Sequence, residues 1–301
     1  MGLLDHFVVK TLPFVPKAVV ARLSKPYIAG DSLDAAVECT RQLNKEGFRV
    51  TLDILGEFVT SFDQALEAAH GYKELVHAIA SNQLDANVSI KPTSFGLLLD
   101  RARCEEIITE LMEVVAANNN FMRLDMEDSP CTTMTIEFYD QLRKKYGTSV
   151  GIVLQAYMRR TVADITGLTS TGPSHFRICK GIYVEPEHVA YQDYGEVRAN
   201  FLKSLNTMFD GGGFVGIATH DDYLVEEATK IIRQQGLGPD RYEFQMLLGV
   251  RESLRDQIKA DGHKLRVYVP FGRDWYGYSV RRLKENPALA GTMFKAIFFN
   301  K

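Results

Sequence analysis

Cysteine is scarce in this chain, and nothing organises the few there are. Cys39, Cys104, Cys131 and Cys179 lie far apart, with no CxxC and no Cys/His ligand spacing. A disulfide framework and a zinc site are therefore both unsupported, and free thiols in a reducing compartment are expected. No Lys/Arg block interrupts a nearly balanced formal charge of −3, which argues against nucleic acid as a partner. No low-complexity stretch or Pro/Ser/Gly linker divides the 301 residues, a length sufficient for one large core or two modest ones. Long apolar runs are missing too. The apolar N-terminus MGLLDHFVVKTLPFVPKAVVARL is interrupted by Lys10, Lys17 and Arg22 and broken by Pro13 and Pro16. It makes a poor signal peptide and is too short and too charged to span a bilayer. His6 stands where a myristoylation signal needs Ser or Thr. A helix packed on the main domain is the expected role, in preference to an interfacial anchor.

What the chain does have is rhythm. Short β-rich runs end in polar or Gly residues, and longer amphipathic segments follow them. The runs are 48–53, 86–90, 121–125, 150–155, 175–181, 214–219, 241–246 and 265–270. Between them, segments such as SFDQALEAAHGYKELVHAIAS and RARCEEIITELMEVVAAN carry apolar residues at helical spacing. Eight strand-then-helix repeats predict parallel βαβ units closing into a (β/α)8 TIM-like barrel with N-terminal helices. The competitor, a doubly wound open sheet, lacks a GxGxxG after its first strand. Gly211–Gly213 reads as a helix stop. On this reading residues 1–46 are an N-terminal helical segment packed on the barrel, residues 47–301 are the barrel, and the whole is one domain.

In such barrels the chemistry is built at the C-terminal ends of the strands. Those ends carry Asp53 with Glu57, Lys91, Arg123 with Asp125, and Gln155. Then come Arg177 with Lys180, Thr219 with His220, Gln245 and Tyr268. Every strand thus brings a hydrogen-bonding side chain that must be satisfied if buried. Near the C-terminus, in WYGYSVRRLKEN, Tyr278, Arg281, Arg282 and Glu285 stand at i, i+3, i+4 and i+7. A helix there projects all four from one face. Paired guanidinium forks suit bidentate capture of a carboxylate or phosphate, although a solvated amphipathic helix has the same spacing. Structural alternatives stand beside several of these residues. Lys91 and Asp125 could be an interior ion pair, His220 a satisfied core histidine, and Arg177 and Lys180, three apart in a strand, could point to opposite faces.

The segments TLDILGE, SIKPTS, RLDMED, VLQAYMRRT, RICKGIY, IATHD, YEFQMLLG, RVYVPFG and YSVRRLKEN occur in that order between residues 51 and 286. In this the chain resembles the proline dehydrogenase family, flavin-dependent barrels that begin proline catabolism. The resemblance implies a catalytic and substrate-binding set of Lys91, Asp125, Tyr268, Tyr278, Arg281 and Arg282, with Leu247 also enclosing proline. It implies FAD held by Asp125, Gln155, Arg177, Lys180, Gly181, Thr219, His220, Gln245 and Glu285. Glu57 would act as a gate, pairing with Arg281 when the site is closed. The activity implied is oxidation of L-proline to Δ1-pyrroline-5-carboxylate, with electrons passed to a quinone. A separate pyrroline-5-carboxylate dehydrogenase is an implied partner, and the implied location is cytoplasmic with peripheral contact at the inner membrane. The run KGIYVEP lacks the aromatic that the family often has shortly after its KGAY segment. The sequence ends at residue 301, so the aldehyde dehydrogenase domain fused to some relatives is not expected. Tyr278 favours proline over hydroxyproline, because the hydroxyproline-oxidising branch has a smaller residue there. The rival readings are that hydroxyproline-oxidising relative, a methylenetetrahydrofolate reductase-like flavin barrel, and a non-catalytic proline-binding barrel.

Overall fold

A computed structural model describes Val20 and residues 24–279. Eight parallel strands form a closed barrel in sequence order: β1 (Arg49–Ile54), β2 (Ala86–Ile90), β3 (Met122–Leu124), β4 (Val150–Gln155), β5 (His175–Cys179), β6 (Phe214–Ala218), β7 (Tyr242–Leu247) and β8 (Leu265–Phe271). β8 closes on β1 with Tyr268 beside Thr51 and Val269 beside Leu52. All eight runs expected to be strands are strands, with ends moved by only a residue or two. The β5 run shows the largest shift, stopping at Cys179 and leaving Lys180 and Gly181 in the loop beyond.

Helix α1 (Leu33–Lys45) precedes the barrel and packs against β1 and β8. Crossovers are made by α2 (Phe62–Ser81), α3 (Arg101–Ala117), α4 (Ser129–Tyr146), α5 (Thr161–Thr169), α6 (Tyr194–Asp210), α7 (Asp222–Gln234) and α8 (Glu252–Ala260). Helix starts follow local chemistry: Ser32, Ser61, Asp100 and Asp193 each accept a backbone N–H three residues on. Helix α6 ends before Gly211, as the glycine run suggests. A further helical stretch begins at 275–279. Arg281 and Arg282, expected to hold a carboxylate, Glu285, expected to reach the FAD, and most of the N-terminal segment 1–46 before α1 lie outside the described residues.

Alternation along the strands separates two environments. Leu52, Ile90, Leu124, Ile152, Phe176, Ile217, Phe244 and Val267 are buried in one apolar core together with residues of the surrounding helices. The alternate positions point inward and are largely polar: Thr51, Asn87, Arg123, Glu243 and Arg266 occupy the floor. Large inner side chains need room, which glycine supplies at two strand positions. A Cβ on Gly151 would lie 2.9 Å from the Arg123 guanidinium and 2.7 Å from the His175 carbonyl. One on Gly216 would lie 2.4 Å from the Gln245 amide.

Candidate active site

A cavity of ≈ 1030 Å³ opens at the C-terminal face of the barrel, at the top of the usual range for small-molecule sites. Every described member of the substrate, cofactor and gate sets implied by the resemblance lines it: Glu57, Lys91, Asp125 and Gln155 on one side, Arg177, Lys180, Gly181, Thr219 and His220 on the other, with Gln245, Leu247, Tyr268 and Tyr278 closing the ring. Arg123, also expected at a strand end, does not line it; its guanidinium turns down into the bore and donates to the Ile152 and His175 carbonyls. Arg177 and Lys180 do not point to opposite faces. Because β5 ends at Cys179, Lys180 belongs to a loop and is free of the strand's alternation.

The pairing of charges differs from the expected Lys91–Asp125 ion pair. Lys91 Nζ donates to both oxygens of Asp53, at 2.9 and 2.8 Å. Asp125 instead accepts from Arg177 across the barrel at 2.7 Å and from the Tyr268 hydroxyl at 2.8 Å. Arg177 also donates to Gln245, and its guanidinium lies 5.2 Å from the centre of the Tyr268 ring. Burial pushes the Asp53 carboxyl up, and Lys91 pulls it back only in part. Burial draws the Lys91 ammonium down, but Asp53, Asp125 and Glu57 outweigh it and hold Lys91 above the usual lysine value. Burial, and then Asp125, raise the Tyr268 phenol well above its usual value, so it is a neutral donor.

At the outer end of the cavity Asp221 is a hub that the sequence reading missed. It accepts from Arg198 at 2.9 and 2.6 Å, from Tyr194 at 2.5 Å and from Lys180 at 3.2 Å. Burial pushes its carboxyl up, but these donors prevail and keep it well below the usual range. Arg198 lies over the rings of Tyr194 and Tyr223, 4.4 and 4.8 Å from their centres. The sequence signal available was the i, i+4 spacing of Tyr194 and Arg198 on one helix. Next to it, Arg251 pairs with Asp222 at 2.7 Å. His220 Nε2 accepts from the Leu247 backbone at 2.9 Å, tying the loop after β6 to the end of β7. Gly181 has φ +109°, and a Cβ there would lie 2.2 Å from the Tyr157 ring, so only glycine fits against that ring.

Such a mouth combines one tightly tied polar cluster over the barrel axis with a cationic rim and an apolar lining that includes Met126, Val153 and Met246. It is far larger than one amino acid requires. The family model described as proline dehydrogenase matches residues 36–295. The chain belongs to the proline dehydrogenase family. It is 36% identical over 270 residues to proline dehydrogenase 2 of Bacillus subtilis strain 168, covering 90% of this chain and 88% of that protein. It is 34% identical over 269 residues to the proline dehydrogenase of Deinococcus radiodurans, covering 88% and 86%. Among solved structures, proline utilization A (PutA) of Bdellovibrio bacteriovorus, inactivated by N-propargylglycine, matches with a TM-score of 0.83 and 23% identity over 93% of this chain. This chain spans 34% of that one, and at this identity the likeness speaks for the barrel fold alone. Among the described residues no helix is long and apolar enough to cross a membrane.

Proposed function

We propose that the protein oxidises L-proline to Δ1-pyrroline-5-carboxylate with FAD bound at the barrel mouth, the electrons passing on to a quinone. The observation that carries this reading is the gathering of the described members of the implied substrate and cofactor sets around one cavity, in a chain of this family. The residues fit a flavin dinucleotide. The volume leaves room for a large planar group beside a small substrate, Gln155 and Gln245 offer amides, and Lys180, Arg198 and Arg251 give one end a cationic rim for phosphates. Lys180, Gly181, Thr219 and His220 would hold the cofactor, with Glu285 joining them. When bound, the flavin supplies the two-electron oxidant that accepts a hydride from C5 of proline.

The protein's own contribution is binding and orientation. Arg281 and Arg282 would grip the substrate carboxylate, each charge-assisted contact contributing roughly 1.5–3 kcal/mol. The ring methylenes would lie against Tyr268, Tyr278 and Leu247. Tyr268 is preset for this, because its hydroxyl is committed to Asp125 and its ring is backed by Arg177. The substrate nitrogen loses its proton to solvent, C5 loses hydrogen with its electron pair, and a C5–N double bond forms. Lys91 is committed to Asp53 and orders the pocket wall instead of exchanging protons. The product would pass to a separate pyrroline-5-carboxylate dehydrogenase, and transfer to a quinone would bring the protein to a membrane surface.

An anaerobic visible spectrum before and after addition of L-proline tests this reading. The expected result is a yellow protein whose flavin bands bleach with proline and not with NADH. Indifference to proline would move the substrate elsewhere, and failure to take up FAD would end the reading. Hydroxyproline turnover matching that of proline would shift the assignment to the hydroxyproline-oxidising branch.

A further inference from the structure

One buried carboxylate takes no part in the chemistry above. Glu127 follows β3, two residues beyond Asp125, and is 1% exposed. It does not line the cavity; its carboxylate turns toward the loop after β2. There it accepts from Thr93 twice, from the backbone N–H at 3.0 Å and from the hydroxyl. Thr93 belongs to a single 3₁₀ turn, Pro92–Phe95, directly after Lys91.

That turn holds the next loop in its own grip. Thr93 Oγ1 accepts from the Phe58 N–H at 3.2 Å, and the Thr93 carbonyl accepts from the Val59 N–H at 3.4 Å. Ser94 Oγ donates to the Gly56 carbonyl at 2.6 Å. Residues on both sides of Glu57 are therefore stapled to the turn, and the turn is stapled to Glu127. The staple holds an uncommon backbone. Phe58 has φ +53°, a left-handed conformation that costs an L-residue with a bulky side chain free energy and persists where surrounding contacts impose it. The other end is anchored at the cavity wall, where Gln155 Nε2 donates to the Glu127 carbonyl at 2.8 Å.

We propose that Glu127 is a positioning residue: through Thr93 it fixes the β1–α2 loop in the conformation that carries Glu57 at the cavity mouth, and so sets closure over the substrate. This rests on the proline-oxidising reading of the cavity. Two carboxylate oxygens are needed because Thr93 presents two donors. A glutamine keeps one acceptor but turns an N–H toward Thr93 Oγ1, so the hydroxyl loses the acceptor for its own proton and takes the new N–H beside that of Phe58. A valine at position 93 removes the hydroxyl that links Glu127 to the Phe58 amide while keeping the side-chain shape.

The test uses the full-length flavin-loaded protein as wild type, Glu127→Gln, Thr93→Val and Thr93→Ser. Amide hydrogen exchange across residues 56–59 is measured alongside steady-state kinetics with L-proline. Exchange at Phe58 and Val59 is expected to quicken about ten- to a hundredfold in Glu127→Gln and Thr93→Val. In the same variants KM for proline should rise several-fold while kcat stays within about twofold. Thr93→Ser, which keeps the hydroxyl, should behave as wild type in both. Unchanged exchange in the first two variants overturns the staple, and faster exchange with unchanged KM overturns its role in closure. Wild-type turnover separates the two questions. If wild type does not oxidise proline, the reading of the cavity falls, and the closure role with it. If it does, either negative result counts against Glu127 alone.

Discussion

Glu243 on the barrel floor and Glu127 near the mouth are equally buried, 2% and 1% exposed, yet they stand in opposite electrostatic states. Arg266 donates to Glu243 at 2.6 and 3.3 Å, Gln245 adds a bond at 2.8 Å, and Arg49 lies 3.6 Å away. Burial pushes the Glu243 carboxyl up, but Arg266 outweighs it and leaves the group below the usual value. Among the described residues no cation is bonded to Glu127. Burial pushes it up to about 7, against the pull of the two Thr93 bonds and of Lys91, while Glu57 adds to the push. Burial alone therefore does not set the charge state; the identity of the bonded partner does. On the floor Glu243, Arg266 and Gln245 form one hydrogen-bonded circuit that fixes the carboxylate's charge. The mouth contains groups whose state can still change.

Removing the floor carboxylate breaks that circuit most severely. Glu243→Ala strands the Arg266 guanidinium, whose side chain is 9% exposed, and should lower unfolding stability by about 3–5 kcal/mol, read from urea midpoints. Arg266 also lines a smaller polar pocket beneath the barrel, so a loss under about 1 kcal/mol would mean that water substitutes for Glu243 and that the floor is open to solvent.

The next effect sharpens the contrast through pH. The Glu127 pKa is raised in the fold, so the folded state holds the proton more tightly than the unfolded chain. Its stabilising contribution is complete below the ordinary glutamate value of 4.5 and is lost as pH rises through about 7. The groups facing it are Lys91 after β2, Glu57 after β1, Thr93 in the 3₁₀ turn, Cys104 on α3 and Cys131 on α4. Across that window wild type should lose roughly 3 kcal/mol relative to Glu127→Gln. Stability curves of the two proteins that run parallel with pH would show that Glu127 titrates normally. Above pH 7 the glutamine variant can therefore be more stable overall while its β1–α2 loop is looser, a separation of global stability from local positioning.

Tyr268→Phe is the smallest change. It removes one donor from Asp125 and leaves Arg177 in place, so about 1–2 kcal/mol of stability should go. KM for proline should rise as the ring loses its fixed orientation. An unchanged KM would mean that packing, and not the Asp125 bond, orients the ring.

The elements of the barrel were legible because their period is local. Leu52 beside Asp53, or Ile178 beside Arg177, carries the alternation of a strand whose outer face packs on helices and whose inner face lines a polar bore. The strand-end residues were legible for the same reason. In a parallel barrel all strand ends meet at one face, so a list of polar residues at eight ends is already a list of neighbours. Partner choice was not. Lys91 lies one step past the Ile90–Leu124 pairing of β2 with β3, which makes Asp125 look like its mate. Asp125 is instead taken across the bore by Arg177 of β5 and by Tyr268 of β8, and Lys91 turns back to Asp53. The Asp221 hub and the Glu127–Thr93 staple escaped notice likewise, since each joins segments from 14 to 41 residues apart.

By itself the amino-acid sequence determined the eightfold strand–helix order, the closed parallel barrel and the family, because these rest on periodicity and on ordered motifs that need no partner. Tertiary structure alone decided which carboxylate answers which cation, which buried acid is pinned and which is left near neutrality, and which loop is tied over the mouth. Those outcomes depend on side chains meeting across the bore and between loops, at distances of about 3 Å, where a bond is made or missed by a shift that no one-dimensional pattern records.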